Sequence, residues 1–459
     1  MKLLIIGAGY VGLVTGSCMA EMGHHVTCLD IDETKIEQLR KGKIPFYETG
    51  LEELVKRNVD AGRLTFTSSY HESVRDADVC FICVHTPMSQ DGQANLLFVK
   101  NVAKELATHM NNYKIIVNKS TVPVGTASMV HDIIAETLSS RGVTIEYDVV
   151  SNPEFLTEGC AISNCMKPDR VVLGVDNPRV GMIMKEIYAP FMLSHDRLII
   201  MDIPSAEMTK YAANIMLASR VSLMNELAGL CEKVGANIDT VRIGIGSDQR
   251  IGYKFIYAGV GFGGSCLPKD LRALQALARE NDCAHPMLQA IEAVNEKQKF
   301  LMGNKIIDYF NERDGVKGKV IGILGLSFKP DTDDMRRAPS LTLIQQLLDA
   351  GASVRLYDPI AMEQAKKVIP DHSSIYWASD EGDAADTADA LALVTEWKQF
   401  RLLDFPDLKV RMNGHAFFDG RNQYVPQKMV DAGFDYISIG KKTFYSIPEQ
   451  SPSLTTMET

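Results

Sequence analysis

An α/β architecture, with two doubly wound parallel sheets joined by one long helix, is what this chain of 459 residues predicts, and three stretches predict it. Lys2-Leu-Leu-Ile-Ile-Gly7-Ala-Gly9-Tyr10-Val11-Gly12 reads as a buried strand passing through a glycine turn into a helix. Lys319-Val-Ile-Gly-Ile-Leu-Gly325 repeats that text without a full GxGxxG. Between them, Ser205 to Val234 reads as one long helical pattern with a wide apolar stripe and no Pro or Gly before Gly229, as a helix joining two domains or two subunits requires. The expected division is a Rossmann-like dinucleotide domain over 1–196, a helical, subunit-pairing domain over 197–300, a second Rossmann-like domain over 301–445, and an unfolded Ser/Thr/Pro tail over 446–459.

Taken in order, Gly7 serves the turn, Gly9 the approach of a pyrophosphate and Gly12 the packing of helix on strand. The next strand, His25-Val-Thr-Cys-Leu, ends on Asp30, an acid placed to bond a ribose hydroxyl and to repel a 2′-phosphate, so the sequence predicts NAD rather than NADP. Lys35 lies over that ribose or is an exposed helix lysine. Cys80 and Cys83 match CxxC, but on a strand they face opposite ways, which argues against a metal or redox site there. Ser120-Thr121-Val-Pro-Val-Gly125 repeats the pattern of strand, polar tip and helix entry, with Thr121 either a helix cap or a ligand contact. Asn152-Pro-Glu154-Phe155-Leu156-Thr-Glu158 sets two carboxylates four apart beyond another strand, as a solvated pair or as part of a site.

In the long helix, Lys210 and Asn214 lie one turn apart on one face. Gly244 to Phe255 reads as a glycine-punctuated loop over a binding site. Gly259-Val-Gly-Phe262-Gly263-Gly-Ser-Cys266-Leu-Pro-Lys269-Asp270 then delivers one thiol to the start of a helix, where the helix dipole favours the thiolate. A small buried cysteine in a tight turn is the alternative. The glycines, Ser265 and the Lys269-Asp270 pair argue for a nucleophile instead. A net charge of -10 disfavours nucleic acid and anionic membranes as partners. Nine cysteines without a framework predict a reduced, cytoplasmic setting. No apolar run approaches the roughly 18 residues that cross a bilayer.

Together, GAGYVG at Gly7, STVPVGT at Ser120, SNPEFLTEG at Ser151, KYAAN at Lys210, GFGGSCLPKD at Gly261 and GLSFKPDTDDMR at Gly325 resemble the UDP-glucose/GDP-mannose dehydrogenase family, and within it the UDP-glucose 6-dehydrogenases. The resemblance implies a four-electron oxidation of a sugar C6 alcohol to a carboxylate with two NAD and no metal. It implies Cys266 as nucleophile, Lys210, Asn214 and Asp270 about the reacting oxygen, and Glu154, with Thr121, as base in thioester hydrolysis. It places Tyr10, Val11, Thr86, Thr121, Glu158, Lys269 and Arg336 on the cofactor side. The nucleotide sugar falls to Glu154, Phe155, Leu156, Glu158, Phe255, Tyr257, Gly259, Phe262, Gly263, Lys329 and Arg421. Arg250 matches an arginine supplied by a neighbouring subunit, which implies a homodimer or higher oligomer. UDP-glucose is favoured by Ser-Asp-Gln-Arg-Ile-Gly at Ser247, although Cys-Leu-Pro-Lys-Asp also occurs in GDP-mannose dehydrogenases.

Overall fold

The computed structural model describes residues 1–89, 92–192 and 196–446; the tail expected to be unfolded from about Pro448 lies outside the described residues. Two compact units emerge, Met1–Ile215 with Lys269–His285, and Met216–Pro268 with the chain from Pro286 onward.

The first unit is built on eight strands: β1 (Lys2–Ile6), β2 (His25–Leu29), β3 (Leu64–Thr67), β4 (Val79–Ile82), β5 (Lys114–Asn118), β6 (Tyr147–Ser151), β7 (Val171–Gly174) and β8 (Leu198–Met201). Their order is β3-β2-β1-β4-β5-β6-β7-β8. All neighbours run parallel except β6 and β7, which meet antiparallel at Ser151 and Gly174. The centre of the sheet reads as unbroken apolar text because both faces are covered. Leu3, Ile5 and Phe81 pack on one face, Leu4, Ile6 and Ile82 on the other. Cys80 and Cys83 belong to opposite faces, as their spacing predicts. The glycine turn after β1 is sterically required: a Cβ on Gly12 would lie 1.8 Å from the Gly7 carbonyl oxygen, and Gly7 itself has φ +102°.

The second unit carries β9 (Val320–Leu324), β10 (Ser353–Tyr357), β11 (Ile375–Trp377), β12 (Ala390–Leu393), β13 (Ala416–Asp419) and β14 (Asp435–Ser438), in the order β11-β10-β9-β12-β13-β14. Every pairing is parallel. The sheet is thus the echo that Lys319–Gly325 predicts. Its acid after the second strand of the echo, Asp358, is buried and turned on the protein. One oxygen accepts from Leu326 N (2.7 Å), Ser327 N (3.1 Å) and Trp397 Nε1 (3.0 Å), the other from Ile360 N (2.9 Å) and Ala361 N (2.8 Å). Removing this acceptor strands several buried donors. Asp358→Ala is therefore expected to cost about 3 kcal/mol and to lower the melting transition by roughly 5–10 °C; an unchanged thermal melt would contradict the role given to Asp358.

The long helix spans Ile203–Val234, and its first turns belong to one unit and its remainder to the other. Contrary to the loop expected over Gly244–Phe255, the helix Ile238–Gly246 takes in the first three of those residues. Asn237 caps it through Asp239 N, and Gly246 lies so close to the Tyr253 ring that a Cβ there would meet it at 2.4 Å. Packing therefore outweighs the low helix propensity of two glycines.

Candidate active site

In the first unit a cavity of about 650 Å³ opens over the glycine turn, with Gly7, Gly9, Asp30, Lys35 and His85 among its walls. Asp30 is buried where β2 ends; Oδ2 accepts from Ala8 N at 2.9 Å and from Lys35 Nζ at 2.9 Å. Lys35 is therefore the ion-pair partner of Asp30 rather than a free surface lysine. The cavity suits a dinucleotide, since the backbone turn carries no Cβ towards it and a carboxylate stands at the end of β2. Asp30→Ala is expected to raise KM for NAD about tenfold, the loss of one charge-assisted hydrogen bond, and to narrow the preference over NADP. Initial rates with both cofactors measure this, and an unaltered NAD KM would count against it. The Leu97–His109 helix adds Phe98, Asn101 and Glu105 to the wall, contributions that its plain amphipathic text did not announce.

Tyr10 and Val11 open the helix after the turn. The Tyr10 hydroxyl bonds Glu48 Oε2, and burial pushes the phenol far above its ordinary range. Glu48 also accepts from Gly159 N at 2.6 Å and Ala161 N at 2.8 Å, so it ties the glycine turn to the chain just after Glu158. Thr86 Oγ1 donates to the Thr121 carbonyl at 2.8 Å, which joins the tips of the β4 and β5 strands.

Beyond β6, Glu154 is only 6% exposed, yet it is an ion-pair partner. Oε1 meets Lys210 Nζ at 3.0 Å and Oε2 accepts from Leu156 N at 2.6 Å. Burial alone would raise its carboxyl; the Lys210 charge, the Leu156 amide and the Lys119 charge outweigh it and hold the group below the usual carboxylate range. Lys119, unmarked by sequence reading, is buried with Nζ 3.3 Å from Asn152 Oδ1. Phe155 is stacked under Arg170, whose guanidinium carbon lies 3.8 Å from the ring centre. One helical turn beyond Lys210, Asn214 Nδ2 donates to Asp270 Oδ2 at 2.5 Å, and Lys269 Nζ sits 2.6 Å from Asp270 Oδ1. Asp270 is fully buried in the first turn of the Leu267–Glu280 helix. The first unit thus gathers Lys210 with Glu154 in one charge-assisted pair, and Asn214 and Lys269 about the Asp270 carboxylate in a charge-assisted trio.

The second unit holds the glycine loop, and polar side chains that sequence reading passed over fix it. Asn225 Oδ1 accepts from Gly259 N at 2.8 Å, Gln298 Nε2 donates to Gly259 O at 2.7 Å, and Asn295 brackets Phe262 through its amide (2.8 Å) and carbonyl (3.1 Å). A Cβ on Gly263 would lie 2.3 Å from the Arg337 carbonyl oxygen, so only glycine lets these two segments touch. Cys266 follows directly, half-buried, its Sγ 3.4 Å from Ser265 Oγ, immediately before the Leu267–Glu280 helix. It is in no disulfide.

Arg421 lies along Gly259; Nε donates to Val394 O at 2.7 Å and Nη2 to Phe328 O at 3.3 Å. Lys329 adjoins the same Phe328, with Nζ 5.8 Å from the ring centre. The side chains of Phe255, Tyr257 and Arg250 point elsewhere, whereas the Arg336 carbonyl accepts from Gly264 N at 2.8 Å and so joins the glycine loop through its backbone. Phe255 is exposed with φ 61°, Tyr257 is exposed beneath Arg242, Arg250 pairs with Asp248 at 2.6 Å, and Arg336 with Asp334 at 2.7 Å.

A dinucleotide cavity on a Rossmann-like sheet, with buried Lys–Glu and Asn–Asp contacts in the same unit, defines an NAD-dependent dehydrogenase. The UDP-glucose/GDP-mannose dehydrogenase family models match throughout: the NAD binding domain at 1–192, the central domain at 204–297 and the UDP binding domain at 322–426. The chain belongs to that family. It is 46% identical to UDP-glucose 6-dehydrogenase of Pseudomonas aeruginosa, over 96% of this chain and 98% of that protein. Identity is likewise 46% to the Rhizobium meliloti UDP-glucose 6-dehydrogenase, over 96% and 100%. Among solved structures it is similar to a UDP-glucose dehydrogenase of Pyrobaculum islandicum, with TM-score 0.86 and 34% identity over 96% of this chain and 98% of that one. No described helix is long and apolar enough to cross a membrane.

Proposed function

We propose that this dehydrogenase oxidises UDP-glucose at C6 to UDP-glucuronate, consuming two NAD and one water per sugar. The observation that carries the reading is the pair of buried contacts on one helical face, Lys210 with Glu154 and Asn214 with Asp270, together with a thiol four residues before Asp270 at the entry of its helix. NAD, when bound, accepts the hydride of each oxidation; Gly7, Gly9, Asp30 and Lys35 would hold it, with Thr86, Thr121, Glu158, Lys269 and Arg336 as further contacts.

In the first oxidation Lys210 and Asn214 stabilise the developing alkoxide as the hydroxyl proton leaves to water held by Asp270, and an aldehyde forms. The Cys266 thiolate then adds to the aldehyde carbon, and the resulting thiohemiacetal loses its hydride and proton to give a thioester. Water, deprotonated by Glu154 with help from Thr121, breaks the C–S bond and releases carboxylate and thiol. Covalent capture keeps the aldehyde on the protein between the two oxidations. Phe155, Leu156, Phe255, Tyr257, Gly259, Phe262, Gly263, Lys329 and Arg421 are assigned to the nucleotide sugar.

The division of labour follows: 1–196 for NAD, 197–300 for subunit pairing, 301–445 for the UDP-sugar. Pairing is supported by Met216, Leu223 and Leu230, 63%, 58% and 56% exposed at seven-residue spacing along the long helix. A second copy would cover that stripe, and Arg250, left at the surface of its own chain, would serve the neighbouring site. The test is NADH yield. Two NADH per UDP-glucose and none from GDP-mannose support the assignment; one NADH per sugar, or turnover of GDP-mannose instead, overturns it.

A further inference from the structure

The long helix is fastened by a residue with no part in the chemistry above. Glu207 is 2% exposed; its Oε2 accepts from Gly125 N at 2.7 Å and its Oε1 from Ala127 N at 2.9 Å. Those amides open the Thr126–Ser140 helix, whose cap residue is a glycine at φ +96° with no side chain to offer, and whose first turn holds no acid. Helices ordinarily cap themselves from the adjoining Ser, Thr, Asp or Asn. Here both acceptors come from another helix, 82 and 80 residues along the chain.

Glu207, Lys210 and Asn214 stand at i, i+3 and i+7, on one face of the long helix. The loop entering the capped helix is the one that carries Thr121. One carboxylate therefore fixes the long helix, three residues before Lys210, to the start of the helix that follows β5. Burial raises the Glu207 carboxyl, and the two amides offset this only in part.

We propose that Glu207 is a positioning residue for the oxidation: by bonding both amides it sets how far along the sheet edge Lys210 and Asn214 lie. The inference rests on the roles given to Lys210 and Asn214 above. Displacements of about 1 Å at a reacting centre cost about 100-fold in rate. Glutamine supplies one acceptor and turns a donor towards the second amide; aspartate keeps both acceptors but is one methylene shorter.

The test compares Glu207→Gln and Glu207→Asp with the wild-type enzyme in kcat, KM for NAD, and the isotope effect on kcat with UDP-glucose deuterated at C6. Expected in both variants are a kcat at least tenfold lower, a KM for NAD within twofold of wild type, and a larger isotope effect, because hydride loss becomes slower than the steps around it. A variant that melts earlier but keeps wild-type kcat and isotope effect would show a cap that only stabilises, and would overturn the proposal. Should Glu207→Gln not fold, Glu207→Asp, which keeps the charge, decides it by the same values. Failure of the UDP-glucose reading appears separately, as a wild-type enzyme that yields no NADH from that sugar.

Discussion

Cys266→Ser is expected to lower steady-state acid production by about 10³-fold or more, the loss of a covalent step worth some 4 kcal/mol in the barrier. The stoichiometry should change as well as the rate. A serine hydroxyl at the helix entry is far less nucleophilic than a thiolate, so the first oxidation proceeds and the second stalls. One NADH per sugar oxidised, with aldehyde rather than acid as the product, is the result that absorbance and product analysis would register. Binding of UDP-glucose should survive, because Gly259 and Phe262 are held by Asn225, Asn295 and Gln298 rather than by the sulfur.

Lys210→Met should cost about 10²-fold or more in kcat, the scale on which removal of one preorganised oxyanion donor is felt. It carries a second signature. In the wild type the Lys210 charge is the largest influence opposing burial at Glu154, whose carboxyl lies below its ordinary range. A depressed folded-state pKa means that the ionised pair contributes in full above the unfolded carboxylate pKa, and is lost as pH falls through the depressed value. With methionine, burial acts with only the Leu156 amide and Lys119 against it, so Glu154 takes up its proton at higher pH. The acid limb of the kcat profile should therefore move to higher pH in Lys210→Met; a limb that stays in place would separate Glu154 from hydrolysis.

What could be read from the sequence was whatever the backbone or a helix period imposes. Gly7, Gly9 and Gly12 are visible because a Cβ would collide there, and Asp30 because it closes a strand. The helix Ile203–Val234 is visible because its text from Ser205 to Ala228 carries no Pro or Gly. The β3 and β8 strands are short and lie at the two edges of the sheet, with Ile199 and Ile200 of β8 exposed, so their patterns lack the burial that marks a central strand. Nor does a local pattern announce the antiparallel step from β6 to β7.

The supporting polar residues were hidden for another reason. Glu48 finds Gly159 across 111 residues, Asn225 finds Gly259 across 34, and Lys119 finds Asn152 across 33. Such pairs leave no periodic trace, since each partner alone is an ordinary surface residue and only the fold makes it a buried one. Gly246 misleads in the opposite direction: a glycine that suggests a loop is here the space for a tyrosine ring inside a helix.

One measurement bears most directly on the thiol. Wild-type and Glu154→Gln enzyme, quenched in acid during turnover of UDP-glucose and NAD, are digested and the Cys266 peptide is weighed by mass spectrometry. A substrate acyl group on Cys266, more abundant in Glu154→Gln, is the predicted result; both enzymes forming UDP-glucuronate with that peptide never modified would contradict it.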